Sequence, residues 1–234
     1  MRDPGYTYSP TGSASAVLAE ESARVFMQRV YMWMAVGLGI TGATSFIVAS
    51  SQQLTSIIVP MGRPIMLVAF LIAVIFSFVG SKVSGPVAAV LFFTYAFLLG
   101  LGFSVLFLIF ELGSIASTFA ITAGTFAAMS AYGTVTKKNL SGWGSFLLMG
   151  LIGIIIAGIV NIFMQSNMLA FVCSCAGVVI FAGLTAYDTQ KLREHHANSG
   201  YSSAMSLAIF GALVLYLDFV NLFIRLLYIL GKRR

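Results

Sequence analysis

Two aspartates stand in apolar sequence toward the end of the chain. Asp188 closes a charge-free run, and Asp218 lies between Phe210–Leu217 and Phe219–Val220. Charged side chains are costly in hydrocarbon, so a carboxylate within a membrane span is a candidate functional group. Structural alternatives stay open for both. Asp188 could be the first residue of a solvated loop that leads to Lys191, and Asp218 could make a hydrogen bond between helices.

The chemistry of these carboxylates depends on whether they meet. Two ionised carboxylates repel each other in a low dielectric, so Asp188 and Asp218 at close range would share one proton. With one proton, the pair closes two helices together through a carboxyl to carboxylate hydrogen bond. Fully ionised, it repels itself or accepts a hard cation through its oxygens. Such a pair is a pH-sensitive latch.

The depth of Asp218 depends on where the last helix is anchored. A span that begins near Ala212 puts Asp218 roughly 9 Å inside the membrane edge, within reach of Asp188. A span anchored at Ser203 puts it roughly 20 Å deep, which disfavours a direct pair. The sequence leaves both possibilities open.

Other polar side chains accompany the aspartates. Asn221 and Arg225 follow Asp218 by three and seven residues, so all three share one face of a helix. Arg225 is about 10.5 Å from Asp218 along the axis and could reach it only through Asn221 or water. We expect Tyr187 and Tyr216, which lie close to the two aspartates in sequence, to support them. The polar stripe predicts that the last helix lies inside a bundle, away from lipid.

The known catalytic motifs do not occur. The chain has no zinc-binding His-Glu-x-x-His, phosphate loop, dinucleotide fingerprint or Cys-x-x-Cys, so we expect neither an enzyme nor a cofactor. An intramembrane aspartyl protease is the enzyme alternative, but it requires Gly-x-Gly-Asp where this chain has Leu215–Asp218. Cys173 and Cys175 point about 200° apart on a helix and cannot form a disulfide with each other.

Composition identifies the elements that must position these residues. Hydrophobic residues make up 59% of the 234 residues, enough for roughly seven spans of about 20 residues each. Charged residues make up only 9%, against about 25% in soluble domains, which excludes a soluble protein. The net charge of +6 comes from scattered basic residues, so nucleic-acid binding is not expected.

The gaps between charges predict an all-α integral membrane protein with seven transmembrane helices. A flexible cytoplasmic tail is predicted over Met1–Arg24, ahead of one transmembrane domain over residues 25–234, and a polar linker over Thr189–Ser203. The predicted spans are Val30–Ala49, Pro64–Ser81, Val83–Phe110, Leu112–Thr136, Trp143–Met164, Met168–Asp188 and Ser203–Leu230.

The distribution of Lys and Arg predicts the orientation of the chain in the membrane. Eight lie on the side of the N-terminus and four on the opposite side, which predicts a cytoplasmic N-terminus. An odd number of spans then places the C-terminus, Lys232–Arg234, in the periplasm. If the last helix re-entered instead of crossing, this tail would return to the cytoplasm.

Several sequence motifs along the chain are characteristic. Three lie in or beside the last two predicted helices, at Gly183–Thr185, Ala186–Gln190 and Leu215–Phe223. They resemble the Bax inhibitor-1, or transmembrane Bax inhibitor motif, family, and the resemblance covers about Arg24–Arg234 and is most specific in the last helix. Three further motifs make the chain most similar, within the family, to bacterial inner-membrane proteins of the YbhL type: Val30–Met34, Ser114–Phe119 and Thr136–Gly142.

The resemblance implies seven helices, with the last one central and wrapped by the first six. It also implies a pH-sensitive calcium leak gated by an aspartyl pair, which falls here on Asp188 and Asp218. A basic residue at the cytoplasmic end of helix two joins the latch in a channel-forming relative that has a run of arginines there, and Lys82 is the matching residue. Another bacterial branch modulates a membrane-bound AAA protease, so the alternative is a non-enzymatic protein that binds other membrane proteins.

Overall fold

A computed structural model describes residues 11–80, 82–195 and 203–234. For residues 11–21 and 195 it describes the backbone, and for the others it also describes the side chains. The described residues form helices joined by short connections, with no β-strand. Seven of the helices are long and apolar enough to cross a membrane, as predicted, and α2 is a short helix between two of them. The helices are α1 (Thr11–Ser50), α2 (Gln52–Ile58), α3 (Gly62–Val79), α4 (Gly85–Ile109), α5 (Leu112–Val135), α6 (Ser141–Met164), α7 (Asn167–His195) and α8 (Ala204–Leu230).

Two helices extend beyond their predicted limits. α1 begins at Thr11, inside the predicted flexible tail, because the segment from Ala14 to Glu21 consists mainly of helix-forming Ala, Leu and Glu. α7 continues to His195, so the predicted linker from Thr189 is helical over its first seven residues. The prediction was wrong there because charged residues mark where a span leaves hydrocarbon, not where its helix ends. Residues 1–10 of the tail and 196–202 of the linker lie outside the described residues.

Helix α8 is the centre of the bundle. In its most apolar 18-residue window 67% of the residues are buried, against at most 44% in any other span. It packs directly on α1, α4, α5 and α7, whereas α3 packs mainly on α4 and α6 mainly on α7. The last helix is therefore central, as predicted, with α1, α4, α5 and α7 as its main neighbours. Helix α3 lies further out and touches α8 near its start, where the Ser206 hydroxyl donates to the Gly80 carbonyl (2.8 Å). Cys173 and Cys175 on α7 are free, as predicted.

Small residues and hydroxyl groups allow close packing where lipid supplies no hydrophobic force. At Gly100 of α4, a Cβ atom would lie 2.8 Å from the Thr41 carbonyl oxygen of α1. The Thr41 hydroxyl donates to the Ala96 carbonyl (2.9 Å), and the Ser45 hydroxyl donates to the Gly100 carbonyl (2.9 Å). These contacts hold α1 and α4 together against one side of α8.

The C-terminus lies at the opposite end of the bundle from the start of α8. Glu111 N–H donates to the Lys232 carbonyl (3.0 Å), and Arg234 N–H donates to the Ile109 carbonyl (3.0 Å). The tail is thus bound to the α4–α5 connection, at what we call the Glu111 end; the other end is the Ser203 end. With 27 residues, or about 40 Å, α8 is a continuous helix that is long enough to cross a membrane.

Candidate functional site

Asp188 and Asp218 meet between α7 and α8. Their carboxyl groups lie within hydrogen-bonding reach of each other. Asp218 is 5% exposed, and Asp188 is half-buried. If both groups were ionised, the buried Asp218 Oδ2 would have no hydrogen-bond donor among the described residues. A proton shared by the pair would supply the missing donor, which is the arrangement expected for two carboxyl groups in a low dielectric.

The length of α7 brings the two groups together. α8 begins at Ala204, and the carboxyl groups are nevertheless in contact. The argument from depth had left this contact open and had placed Asp188 at the end of its helix. α7 continues for seven residues, or about 10 Å, beyond Asp188, so this carboxyl group lies deeper in the bundle. Its reading as the first residue of a solvated loop is likewise excluded.

A polar pocket at the Ser203 end is lined by residues that flank Asp188 in sequence. It has a volume of about 180 Å³ and is lined by Ser141, Tyr187, Gln190, Lys191 and Glu194. The exposed Lys191 ammonium interacts electrostatically with the Asp188 carboxyl group and lies 5.4 Å from the centre of the Tyr187 ring. Asp188 is therefore the member of the pair that is next to a polar pocket and to the Lys191 ammonium, while Asp218 is enclosed.

A chain of hydroxyl groups fixes α7 at the residue next to Asp188. The Thr189 hydroxyl hydrogen-bonds with the Ser130 hydroxyl of α5 (3.0 Å), which also contacts the Tyr31 hydroxyl of α1. Thr189 is fully buried and Ser130 is 4% exposed. Sequence reasoning missed these residues because it assigned Thr189 to a linker.

The side chain of Gln190 attaches the α5–α6 connection to α7. Its oxygen accepts from the Leu140 N–H (2.9 Å), and its amide donates to the Lys138 carbonyl (2.9 Å). Arg193 Nη1 donates to the Thr134 carbonyl at the end of α5. Side chains of α7 thereby satisfy one backbone carbonyl of α5 and two backbone groups of the connection that follows it. The sequence signal was present in the polar residues after Asp188, but it was read as a sign of solvent.

Two glycines allow close contact with the segment of α7 that carries Asp188. At Gly133 of α5, a Cβ atom would lie 2.2 Å from the Ala186 carbonyl oxygen. At Gly144 of α6, a Cβ atom would lie 2.5 Å from the Tyr187 ring. The glycines therefore allow α5 and α6 to lie directly against α7 at the two residues that precede the aspartate.

The other predicted site residues lie at different places. Asn221 donates its amide to the Leu217 carbonyl (2.8 Å) of its own helix, so it does not bridge Asp218 to Arg225. Arg225 lies against Gly177 of α7. A Cβ atom added at Gly177 would lie 3.0 Å from the side-chain carbons of Arg225. Asn221 and Arg225 are both half-buried.

Tyr216 and Lys82 do not join the pair. The hydroxyl of Tyr216 hydrogen-bonds with the Thr41 hydroxyl of α1 (2.6 Å), on the side of α8 opposite to Asp218. Two residues along a helix correspond to a rotation of about 200°, which explains this placement. Lys82 is exposed in the turn between α3 and α4. The cation that interacts with the pair is Lys191 instead.

The pair cannot form a closed metal site by itself. Ca²⁺ takes about six to eight oxygen ligands, and two carboxylates supply at most about four. Within the described residues, no group of three or more His, Cys, Asp or Glu side chains is placed to hold a metal ion. The two carboxylates, together with water, are suited to a transient contact with a hard cation.

Comparison with known proteins identifies relatives over almost the whole chain. The family model described as "Inhibitor of apoptosis-promoting Bax1" matches residues 23–234. Inner membrane protein YbhL of Escherichia coli is 41% identical over 230 residues, covering 95% of this chain and 97% of the relative. An uncharacterised protein of Deinococcus radiodurans is 41% identical, covering 91% and 93%. An uncharacterised protein of Rickettsia prowazekii is 39% identical, covering 98% of each chain.

Proposed function

The chain belongs to the Bax inhibitor-1 family, and from that premise we propose that it is a pH-sensitive cation leak gated by Asp188 and Asp218, with Ca²⁺ as the ion. The observation that carries the proposal is the contact of the two carboxyl groups inside the bundle. We propose that the protein has no enzymatic activity. Its family relative in E. coli is named an inner membrane protein, and we propose the same location here.

The proton on the pair controls the leak. With one proton, a charge-assisted hydrogen bond holds α7 against the central helix α8, and such bonds are roughly twice as strong as neutral ones. Loss of the proton leaves two carboxylates that repel each other. Addition of a second proton replaces the bond by a weaker neutral one. Ion flux is therefore lowest at the pH where the pair holds one proton and rises on moving away from it.

The pathway follows the contact between α7 and α8. Asp188 lies next to the polar pocket at the Ser203 end, and Asp218, Asn221 and Arg225 continue the polar face of α8 toward the Glu111 end. In the latched state Asp218 is buried, and Arg225 places a positive charge further along the same contact. Separation of the two helices would let water enter the contact between α7 and α8. The carboxylate oxygens would then be free to bind a passing cation.

The test is Ca²⁺ flux into dye-loaded liposomes that contain the purified protein, from about pH 6 to pH 8. The native protein should give a flux that changes with pH. Asp218→Asn and Asp188→Asn should each give a low flux that does not change with pH, because an amide donates to the remaining carboxylate at every pH. Glu111→Gln is the matched control, since it removes a partly exposed carboxylate at the other end of the bundle, away from the pair and from the polar pocket, and it should behave as the native protein does.

The same assay distinguishes the alternative, a non-enzymatic protein that binds other membrane proteins such as a protease complex. Folded protein with no flux above that of empty liposomes at any pH would contradict the leak and leave the interaction role. A flux whose pH dependence survives in both asparagine variants would contradict the gate while leaving conduction in place.

A further inference from the structure

A cavity opens in the side of the bundle toward the Glu111 end, and no step of the proposed leak uses it. It has a volume of about 370 Å³. We call it the side cavity. Its lining comes from four helices and includes Gly42 and Phe46 of α1, Phe107 of α4, Ala116 and Phe119 of α5, and Phe223 of α8.

The side cavity lies between α1 and α5. These helices meet at the Ser203 end, where Tyr31 contacts Ser130, and the cavity separates them further along. Its rim is exposed and apolar, with Phe46 51% exposed on α1 and Phe119 44% exposed on α5. Exposed apolar surface on a membrane span faces lipid, so the opening of the cavity faces acyl chains.

The polar groups in the lining are already satisfied within the protein. Thr41 and Ser45 also line the cavity, but both hydroxyls donate to carbonyl groups of α4. The remaining lining is hydrocarbon, so the cavity offers no site for an ion or for a polar ligand. A ligand of matching chemistry is a flexible apolar chain.

We propose that the side cavity binds one acyl chain of a membrane lipid, which enters between α1 and α5. Leu112, the first residue of α5, lines the same cavity and lies near the end of the bundle, so the cavity extends inward from near the membrane surface. A lipid with its headgroup at that surface can insert one chain toward α8 along this direction. The inference does not depend on whether the protein conducts ions.

The bound acyl chain would contact the segment of α8 that carries Asp218. Phe219 and Val220, the two residues after Asp218, line the cavity, and the Phe219 ring lies 5.3 Å from that of Phe119. Occupation of the cavity therefore supports α8 on the side away from α7. The bound acyl chain is a structural lipid for the central helix.

Quenching of tryptophan fluorescence by brominated lipid tests this inference. The reporter is Phe223→Trp in a background of Trp33→Phe and Trp143→Phe, in liposomes of phosphatidylcholine brominated on its acyl chains. The half-buried position of Phe223 at the inner wall means that bromine must enter the cavity to reach it. A thermal melt verifies that each variant is folded, and Phe107→Trp on the α4 wall replaces the reporter if Phe223→Trp does not fold.

Gly42→Phe fills the cavity, because a Cβ atom at Gly42 has no neighbour within 4 Å. Gly39→Phe is the matched control: Gly39 lies on the same helix with equally open space, but outside the cavity lining. We expect brominated lipid to quench the reporter, Gly42→Phe to abolish the quenching and Gly39→Phe to preserve it. Absence of quenching in the unfilled protein would overturn the inference. Quenching that persists with Gly42→Phe would also overturn it, since bulk lipid would then be the quencher.

Discussion

At the scale of single residues, the aspartates could be found from sequence because a carboxylate is rare in apolar surroundings. Their contact could not be predicted, since it depends on the depth of each group. The residues that hold Asp188 in place were missed for a physical reason. Thr189 and Gln190 are polar and precede Lys191, so they resemble the start of a loop, yet they are buried because Ser130 and the α5–α6 backbone satisfy their hydrogen bonds.

A single methyl group at Gly133 should displace α5 from α7 next to the site. Gly133→Ala places a Cβ atom against the Ala186 carbonyl oxygen, a backbone atom that cannot rotate away. We expect a loss of about 1–3 kcal/mol in the free energy of unfolding, as for other overpacked contacts. The midpoint of thermal unfolding in detergent measures this change.

Gly124→Ala on the same helix is the control, because its Cβ atom has no neighbour within 4 Å. Alanine is the better helix former, so this variant should be as stable as the native protein or slightly more stable. Equal midpoints for the two variants would contradict the close contact of α5 with α7.

At the scale of helices, the spans were predictable because charge is excluded from hydrocarbon, whereas their ends beyond the membrane were not. The C-terminal residues show the difference. Lys232–Arg234 are basic and polar, which suggests a free tail, but their backbone binds the α4–α5 connection. Backbone pairing does not depend on side-chain type, so a composition pattern does not reveal it.

Removal of residues 232–234 should loosen the end of α8 at the Glu111 end. The deletion takes away the hydrogen bonds to Glu111, Ile109 and Ser114, and we expect it to cost about 1–3 kcal/mol. Hydrogen exchange should increase at residues 109–114 and in the last turn of α8.

Lys232→Ala provides the comparison for this deletion. It keeps the backbone pairing and removes only the exposed ion pair with Glu111 (3.1 Å). Exposed pairs contribute about 0–1 kcal/mol, so the effect should be small. Equal effects of Lys232→Ala and the deletion would show that the backbone contacts do not hold the helix.

At the scale of the whole molecule, composition predicted a seven-helix bundle, and the polar stripe of α8 predicted its central position. The outer positions of α3 and α6 and the side cavity were not predictable. They depend on which apolar faces pack on each other, and lipid-facing and protein-facing surfaces have similar composition in a membrane protein. The orientation rests on the distribution of Lys and Arg and remains a prediction.

Fusion reporters at the two termini test the orientation. Alkaline phosphatase fused after Arg234 should be active, because it needs the oxidising periplasm for its disulfides. Green fluorescent protein fused before Met1 should fluoresce in the cytoplasm. An inactive phosphatase with a fluorescent C-terminal fusion would reverse the predicted location of the tail.

The shared proton proposed for Asp188 and Asp218 can be measured most directly by infrared spectroscopy of the protonated carboxyl group. The chain has only seven acidic residues, so the background is small. We predict that the native protein at neutral pH has one protonated carboxyl group, and that its band shifts in ¹³C-aspartate-labelled protein and disappears in Asp218→Asn. A native spectrum with no such band, or a band that persists in Asp218→Asn, would contradict the latch.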